Sequence, residues 1–467
     1  MLFNSFHYLA FYPLVLLVYF LTPVRMRWAP LLLASCYFYM AFIPKYILVL
    51  FAIILIDFFA AIGMESLHGA PAKKRLLLLV SILANLGILC VFKYFNFFAD
   101  NVNTLAGREL VPALGLILPI GLSFHTFQSL SYTIEVYRGH VPAERHLGIY
   151  AVYVLYFPQM VAGPIERPQN ILPQLHQVHR FSHERAVSGL RLILFGFIKK
   201  VVLADQLAAF VDRVYQHPGD HQGPALLAAT YAFTFQIYLD FSGYSDIARG
   251  SSRLFGIELM RNFDSPYFAT SLSEFWRRWH LSLSTWFRDY LYIPLGGNRV
   301  PPLRRALNLL IVFLVSGLWH GANWTFVIWG GIHGAVLAVS DYVRKGEKPR
   351  PGVLAWLLTF HIVVLSWVFF RAASIADAIT VLRRMPLGWG RPGAMADLAA
   401  TAGSASLYVL LGALLLAVLF VERRPQAPLF GRLLARPGLR WTAYYAALAI
   451  LAFFGKSDAK KFIYFQF

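Results

Sequence analysis

Apolar stretches of bilayer-spanning length recur from one end of this chain to the other. A helix that crosses the hydrocarbon core of a membrane needs about 20 predominantly apolar residues. The sequence therefore predicts an all-α, polytopic membrane protein with roughly ten to twelve transmembrane helices, in a single membrane domain over residues 1–467. The expected spans are 6–21, 28–42, 46–62, 76–92, 114–134, 307–318, 324–339, 353–370, 406–421 and 444–454.

The charged residues support a membrane location and exclude a nucleic-acid binder. Only 14% of the residues are charged, where a soluble chain would carry roughly a quarter. The net charge of +19 comes from short basic clusters between apolar runs, which is typical of cytoplasmic loops. A nucleic-acid binder would instead need a solvated basic face. The clusters are Lys73-Lys74-Arg75, Arg304-Arg305, Arg344-Lys345 and Arg423-Arg424. We expect residues 73–75 on the cytoplasmic side and the loop 100–111 outside.

Two histidines stand in aromatic settings within the apolar sequence. His280 ends the segment Glu-Phe-Trp-Arg-Arg-Trp-His, and His320 follows Trp319 in Ser-Gly-Leu-Trp-His-Gly-Ala-Asn-Trp. An ionisable side chain at membrane depth is costly and indicates function by default. A neutral imidazole can accept a proton from a hydroxyl near pH 7, as acyl transfer to an alcohol requires. Trp319 can line a substrate pocket, and Asn323 can donate a hydrogen bond to an oxyanion. The alternative for His320 is a packing histidine satisfied by a neighbouring helix.

The residues around the first histidine follow a helical pattern. Over 272–290, apolar and aromatic side chains including Trp276 recur at i, i+3, i+4 and i+7, with basic residues opposite. This pattern predicts an amphipathic helix that lies in the membrane interface. His280 falls at the edge of its apolar stripe and can face a cavity. The alternative is an interfacial anchor with a solvated histidine.

Other polar groups interrupt the apolar runs. Gln236 and Asp240 are four residues apart and share a helix face, which makes them candidate substrate-binding residues. An acid at this depth is either functional or half of a structural ion pair, and we favour the ion pair.

On one ideal helix, His333 would point away from His320. The neighbouring Trp329-Gly330-Gly331 allows another helix to approach closely.

Several catalytic signatures are absent from the sequence. It contains no Gly-x-Ser-x-Gly, no Walker loop, no dinucleotide fingerprint and no His-Glu-x-x-His. The two cysteines, Cys36 and Cys90, have no zinc-binding spacing. We therefore expect neither a serine hydrolase nor an ATP-driven pump nor a metalloprotease, and we expect no metal site.

The chain resembles the membrane-bound O-acyltransferases, and within them the bacterial branch typified by the alginate O-acetylation membrane protein. The match is specific because it comprises many ordered segments, among them Gly-Leu-Trp-His-Gly-Ala at 317–322. The matching segments are 119–124, 157–159 with 162–165, 196–200, 239–246, 274–284 and 317–322.

This resemblance implies a fold, an activity and catalytic residues. The fold would be a ring of transmembrane, interfacial and re-entrant helices around a thin, funnelled centre. The invariant histidine of the family corresponds to His320, and a second, nearly invariant one to His280. The acyl donor would be a cytosolic thioester, acetyl-coenzyme A, with no bound cofactor.

The same resemblance implies a cellular setting. The acceptor would be an extracytoplasmic polysaccharide such as alginate, cellulose or peptidoglycan. A periplasmic acetyltransferase of the SGNH type would be the partner, and the location would be the bacterial inner membrane. The alternative from another class is a transporter or export scaffold without chemistry. The enzyme is favoured because two histidine motifs would be idle in a scaffold and no inverted repeat is visible.

Overall fold

The regular structure of the described residues is helical. A computed structural model of the protein describes residues 1, 3–160, 163–344, 351–403, 405–423 and 436–454. No strand occurs within these ranges, which confirms the predicted all-α class. Three residues of the sequence predictions lie outside these ranges: residue 162 of the family-like segment 162–165, and Lys345 and Arg424 of the basic clusters.

The helices follow one another along the chain with short connections. From the N-terminus they are α1 (Phe6–Leu21), α2 (Trp28–Met40), α3 (Ile47–Ser66), α4 (Pro71–Leu89), α5 (Phe95–Ala106), α6 (Leu122–Arg138), α7 (Leu147–Leu155), α8 (Phe157–Met160), α9 (Pro168–Leu175), α10 (His183–Phe197) and α11 (Asp205–Gln216). They continue as α12 (Gly223–Phe255), α13 (Leu272–Trp276), α14 (Leu281–Phe287), α15 (Pro302–His320), α16 (Trp324–Arg344), α17 (Val353–Arg371), α18 (Ile375–Arg384), α19 (Ala394–Ala402), α20 (Ala405–Arg423) and α21 (Pro437–Phe454).

Short π-helical and 3₁₀ segments supplement these helices. The π segments are Cys90–Tyr94, Ile198–Ala204 and Arg288–Tyr292, and the 3₁₀ turns are Val24–Met26, Pro44–Tyr46, Pro218–Asp220 and Pro266–Phe268. The chain forms two compact units. The first comprises Met1–Ile193 and Ser245–Arg261, and the second Leu194–Tyr244 and Asn262–Phe467.

Several of the described helices are long and apolar enough to cross a membrane, which confirms a multi-pass membrane protein. Five pass on length and composition, namely Pro44–Ser66, Pro71–Ala106, Pro302–His320, Trp324–Val343 and Val353–Arg371. A sixth is the bent pair Ala394–Ala402 and Leu407–Arg423, if it counts as one span. The described residues thus give fewer spans than the expected ten to twelve, because apolar stretches such as Phe6–Leu21 form helices that are shorter than 18 residues.

The expected span at 114–134 is not a single helix. Residues 109–119 are not helical, and α6 begins only at Leu122, after Gly121 with a φ of 75°. The helix is rich in hydroxyl side chains, and Thr126, Ser129 and Thr133 are fully buried within the first unit. Since α6 contacts α3, α4, α7 and α9, its polar residues are covered by protein. Hydropathy placed the span too early because the apolar run precedes the helix.

In the second unit, α15 and α16 form a hairpin with a close contact. A Cβ atom on Gly317 would lie 2.2 Å from the Phe326 carbonyl oxygen, and one on Gly330 would lie 2.1 Å from that of Phe313. Only glycine fits at both positions, as expected where small residues let two membrane helices approach. This confirms the helix approach predicted at Trp329-Gly330-Gly331. The hairpin places His320, at the end of α15, beside α16.

Candidate active site

His320 lies in a cage of aromatic rings. It is the last residue of α15, and its side chain is buried. The ring centroids of Trp319, Trp329 and Phe370 lie 5.0, 5.1 and 5.3 Å from that of His320, each in an edge-to-face arrangement. We call these three residues the aromatic cage. Such a cage holds the imidazole in one place and keeps bulk water away, which strengthens polar interactions inside it.

His280 lies in a sharp turn, and the amphipathic helix predicted over 272–290 was therefore wrong. α13 ends at Trp276, α14 begins at Leu281, and His280 between them has a φ of 43° in the left-handed region. A non-glycine residue in that region costs about 1–3 kcal/mol and persists only when its surroundings enforce it. His280 is also fully buried, so it is neither at the edge of an apolar stripe nor a solvated anchor.

Asn262 holds the turn that carries His280. Its backbone carbonyl accepts a hydrogen bond from the Leu281 N–H at 2.9 Å, and its side-chain oxygen accepts one from the Ser282 hydroxyl at 2.7 Å. The His280 ring packs edge-on against Phe241, with 4.6 Å between the ring centroids. His280 lies outside the candidate spans, and burial lowers its pKa to about 3. The imidazole is therefore neutral near pH 7.

Trp319 contacts both candidate histidines. Its ring centroid lies 6.5 Å from that of His280 and 5.0 Å from that of His320. The structure thus brings two motifs that are separated in the sequence to one buried tryptophan. Trp276 joins the same cluster through Trp329, since their ring centroids are 5.8 Å apart.

A cavity adjoins both histidine segments. Its volume is about 400 Å³, and its lining includes Ser316, one turn before His320, and Leu281, directly after His280. Most of the lining is apolar, and Arg277 and Arg288 supply positive charge. The aromatic and aliphatic lining residues are Trp276, Leu281, Leu283, Phe287, Tyr292, Leu309, Val312, Phe313 and Leu337. A mostly apolar cavity with a few polar groups is the usual form of a small-molecule site.

Asp240 forms a buried ion pair, as the sequence favoured. The Lys200 ammonium lies 2.5 Å from an Asp240 carboxylate oxygen and 2.9 Å from one of Asp205. Burial lowers the pKa of Lys200, but the two carboxylates outweigh burial and hold it above its ordinary value. Gln236, one turn earlier, is buried, and its side-chain oxygen has no hydrogen-bond partner among the described residues. Neither Asp240 nor Gln236 lines the cavity.

Asn323 lies in the turn between α15 and α16. Its side-chain oxygen accepts a hydrogen bond from the Thr325 N–H at 2.9 Å, so it caps α16. Its amide nitrogen donates to the Ala373 carbonyl at 3.3 Å. These two hydrogen bonds fix the orientation of the amide group, so only its second N–H could serve an oxyanion without moving the side chain.

Asn262 and Phe241 were not predicted as site residues from the sequence, and His333 was predicted to point away from His320. The turn at 321–323 separates α15 from α16, so the single ideal helix assumed for His320 and His333 does not exist. His333 lies 5.0 Å from Trp329 between ring centroids, and Trp329 in turn contacts His320. The sequence did show that His333 is an ionisable residue within an apolar helix, which indicates function. It could not show which residues surround His333, because they are brought together by the hairpin of α15 and α16.

Comparison with known proteins identifies related chains. The model of the membrane-bound O-acyltransferase family matches residues 67–373. A probable alginate O-acetylase, AlgI, of Azotobacter vinelandii is 41% identical over 374 residues, which cover 78% of this chain and 74% of the relative. A peptidoglycan O-acetyltransferase of Helicobacter pylori is 38% identical over 385 residues, covering 76% and 73%. A teichoic acid D-alanyltransferase of Streptococcus thermophilus is 31% identical over 281 residues, covering 54% and 68%.

Proposed function

This chain belongs to the membrane-bound O-acyltransferase family and is a membrane acyltransferase, and we propose that it transfers acetyl groups from acetyl-coenzyme A to a hydroxyl acceptor, with His320 as general base. The observation that carries the residue assignment is the shared contact of His280 and His320 with buried Trp319. The names of the relatives in Azotobacter vinelandii and Helicobacter pylori support acetyl as the acyl group.

The chemistry assigned to His320 is proton transfer. Its neutral imidazole takes the proton of the acceptor hydroxyl as the oxygen attacks the thioester carbonyl carbon. A carbon–oxygen bond forms, the tetrahedral intermediate collapses, and the carbon–sulfur bond breaks. His320 then returns the proton to the sulfur, so that the products are the ester and the free thiol of coenzyme A. The imidazole ends the cycle neutral.

His280 is proposed as an orienting residue because its low pKa makes it a poor proton acceptor at neutral pH. The oxyanion needs a hydrogen-bond donor. Asn323 already donates to Ala373, so Asn323 is proposed as the residue that fixes the turn after His320. Trp329 offers a buried indole N–H that has no acceptor among the described residues, and its ring contacts His320. We assign the oxyanion contact to Trp329.

The cavity of about 400 Å³ is proposed to take the acyl end of the donor. Its apolar walls, with Trp276 on the side of the aromatic cage, suit a thioester arm. Arg277 and Arg288 suit phosphate, with Arg277 as the main source of charge because Arg288 pairs with Asp289 at 2.7 Å.

Neither Gln236 nor Asp240 lines the cavity, so we propose that they do not touch the donor there. Their proposed role is to stabilise α12 from buried positions, Asp240 through its ion pair with Lys200.

The proposed location is the bacterial inner membrane, since the relatives named here are bacterial proteins. The final acceptor is proposed to be an extracytoplasmic polysaccharide, to which a periplasmic partner acetyltransferase passes on the acetyl group after the transfer that His320 assists. Alginate and peptidoglycan are the acceptors that the names of the two relatives suggest, and cellulose is a third. No bound cofactor is required by this scheme, because the donor brings the activated acyl group.

The test is transfer of radiolabelled acetyl from acetyl-coenzyme A in purified membranes that contain the partner. We expect His320→Ala and His320→Gln to lower the rate by about 10²–10⁴-fold, the usual contribution of a positioned general base. The matched control is His361→Ala, an exposed histidine on α17 that bonds Tyr231. His361→Ala should transfer like the wild type.

Two outcomes would contradict the proposal. Equal transfer by wild type and folded His320→Ala would remove His320 from the chemistry. No transfer by the wild type, with the protein folded and the partner present, would refute acetyl-coenzyme A as the donor and favour the transport alternative. In a transporter, His320→Ala would leave flux largely intact.

A further inference from the structure

His333 is a buried histidine that the proposed chemistry does not use. It lies in the middle of α16 with no exposed surface. Its ring packs among Trp276, Trp329 and Phe313, at centroid distances of 5.3, 5.0 and 6.2 Å. A buried imidazole of this kind needs partners for both ring nitrogens, since an unsatisfied buried polar group costs about 1–3 kcal/mol.

Both nitrogens have partners, and the partners fix the tautomer. The indole N–H of Trp276, which can only donate, lies 3.2 Å from His333 Nδ1, so Nδ1 carries no proton. The Ser366 hydroxyl lies 2.9 Å from His333 Nε2 and donates its own proton to the Val363 carbonyl at 2.8 Å. Ser366 therefore accepts the Nε2 proton. The hydrogen-bond chain runs in one direction, from Trp276 through His333 and Ser366 to the backbone of α17.

The direction of these hydrogen bonds excludes a proton-transfer role for His333 as long as the hydrogen-bond chain from Trp276 to Ser366 is intact. A protonated imidazole would carry a proton on Nδ1, opposite the indole N–H of Trp276, and the two donors would repel each other. His333 can therefore hold Trp276 but cannot relay a proton past it.

Trp276 is the residue on which the hydrogen-bond chain acts. It lines the cavity, and its ring also contacts Trp329 of the aromatic cage at 5.8 Å between centroids. An indole has two rotatable side-chain bonds, so its ring needs an anchor to remain a fixed wall. The hydrogen bond to His333 supplies that anchor, and Ser366 ties the anchor to α17.

We propose that His333 is a positioning residue, which holds Trp276 as a fixed wall between the cavity and the aromatic cage of His320 through the hydrogen-bond chain Trp276–His333–Ser366. The inference rests on the proposed function, because the wall matters only if the cavity takes the acyl donor. It assigns His333 to substrate placement, so its loss should affect the KM for the donor together with kcat.

The experiment compares His333→Ala, His333→Gln and Trp276→Phe in the acetyl-transfer assay, at matched expression. A displaced wall should lower kcat/KM by about 10²-fold in His333→Ala, as for a misplacement of about 1 Å. Glutamine offers one acceptor and one donor and should restore the rate to within about tenfold of the wild type. Trp276→Phe keeps a ring but removes the N–H, and combining it with His333→Ala should add little, since both break the same contact.

The pattern of results decides the proposal. Folded His333→Gln that is as inactive as His333→Ala, or an altered pH profile in His333→Gln, would show that the imidazole itself handles protons and would overturn it. Wild-type kcat/KM in folded His333→Ala or in Trp276→Phe would overturn it as well. If His333→Ala does not fold, His333→Gln and Trp276→Phe carry the test alone.

A separate readout distinguishes failure of this inference from failure of the proposed function. If the folded wild type transfers no acetyl group, nitrogen-15 NMR of labelled histidine still tests the hydrogen-bond chain Trp276–His333–Ser366. The His333 signals are assigned as those that disappear in His333→Gln. The hydrogen-bond chain is supported if the His333 ring is protonated at Nε2 and its Nδ1 signal shifts in Trp276→Phe. A charged ring or one protonated at Nδ1 overturns it.

Discussion

At the scale of single residues, the buried N–H groups of the candidate site differ in whether they have a hydrogen-bond acceptor. His333 has both ring nitrogens bonded, and Asn323 has its amide bonded to Ala373. The indole N–H groups of Trp329 and Trp367 are buried and have no acceptor among the described residues. Buried donors without acceptors are rare in native structures and call for an explanation. For Trp329, which contacts His320, the explanation offered is an oxyanion in the transition state.

We predict that Trp329→Phe lowers kcat by about 10²–10³-fold while leaving the fold intact, since loss of one oxyanion donor has that effect. The measurement is the acetyl-transfer rate at saturating donor. Trp367→Phe is the matched control, because this tryptophan stacks on Trp329 with centroids 5.7 Å apart and also has a buried N–H without an acceptor. Equal losses in the two variants would assign the effect to packing and contradict the role of Trp329.

At the scale of elements, the hairpin of α15 and α16 depends on two glycines. Because a Cβ atom on Gly330 would lie 2.1 Å from the Phe313 carbonyl oxygen, the helices cannot keep their separation with any other residue there. We predict that Gly330→Ala lowers the free energy of unfolding by about 1–3 kcal/mol, the usual cost of overpacking. The rate of acyl transfer should fall as well, because His320 lies on α15 and Trp329 on α16, so a change in the helix separation moves one relative to the other.

The neighbouring glycine provides the control for that prediction. A Cβ atom on Gly331 would meet only a Leu314 methyl group, at 3.6 Å, which is ordinary contact. Gly331→Ala should therefore keep the melting temperature in detergent and the transfer rate of the wild type. Should Gly330→Ala behave like Gly331→Ala, the close approach of the two helices would not be needed for the site.

The π-helical segment Ile198–Ala204 carries a second element-scale feature, the buried ion pair of Lys200 with Asp240 on α12. We predict that Asp240→Asn destabilises the protein by about 3 kcal/mol, because removing the more buried carboxylate leaves the buried Lys200 ammonium only partly compensated. The value lies at the low end of the usual range since Asp205 still faces Lys200 at 2.9 Å. The measurement is thermal unfolding in detergent.

Two further variants separate the ion pair from simple loss of a carboxylate. Asp205→Asn should cost less, because Asp205 is less deeply buried than Asp240. The double variant Lys200→Met/Asp240→Leu should recover much of the lost stability, since apolar replacement of a buried pair is often neutral and the Asp205 carboxylate that remains is partly exposed to solvent. Wild-type stability of Asp240→Asn alone would show that the pair is not needed.

At the scale of the whole molecule, the distribution of basic residues predicts which side of the membrane each loop faces. Lys73, Lys74 and Arg75 lie in the first turns of α4, after the loop that contains exposed His68. The helical stretch Pro71–Ala106 has 36 residues, which at 1.5 Å per residue is longer than the roughly 30 Å of the hydrocarbon core. Its far end, near exposed Arg108, should therefore reach the outer side.

We predict that a cysteine at His68 is labelled from the cytoplasmic side and one at Arg108 from the outside. The measurement is labelling with a membrane-impermeant thiol reagent in intact cells and in inverted vesicles. Cys36 and Cys90 are replaced first, because Cys90 is exposed. Labelling of both positions from the same side would contradict the orientation inferred from the basic clusters.

The local sequence was enough for the class of the protein and for its two catalytic candidates. Apolar length predicts membrane helices because the bilayer imposes the same requirement wherever a helix crosses it. His320 and His280 were found because each stands in a short motif, and the family match rests on such contiguous segments. The ion pair of Asp240 followed from the high cost of an isolated charge at that depth.

The arrangement of these residues depends on packing between distant segments, which the sequence does not show. The left-handed turn at His280 depends on hydrogen bonds to Asn262, and Trp319 meets both histidines only because distant segments pack around it. His333 was misjudged because its neighbours depend on the chain reversal at 321–323. Periodicity describes a residue relative to its own helix, whereas buried hydrogen bonds and ring contacts join residues from different helices. That is why the sequence determined the type of protein and the tertiary structure determined the site.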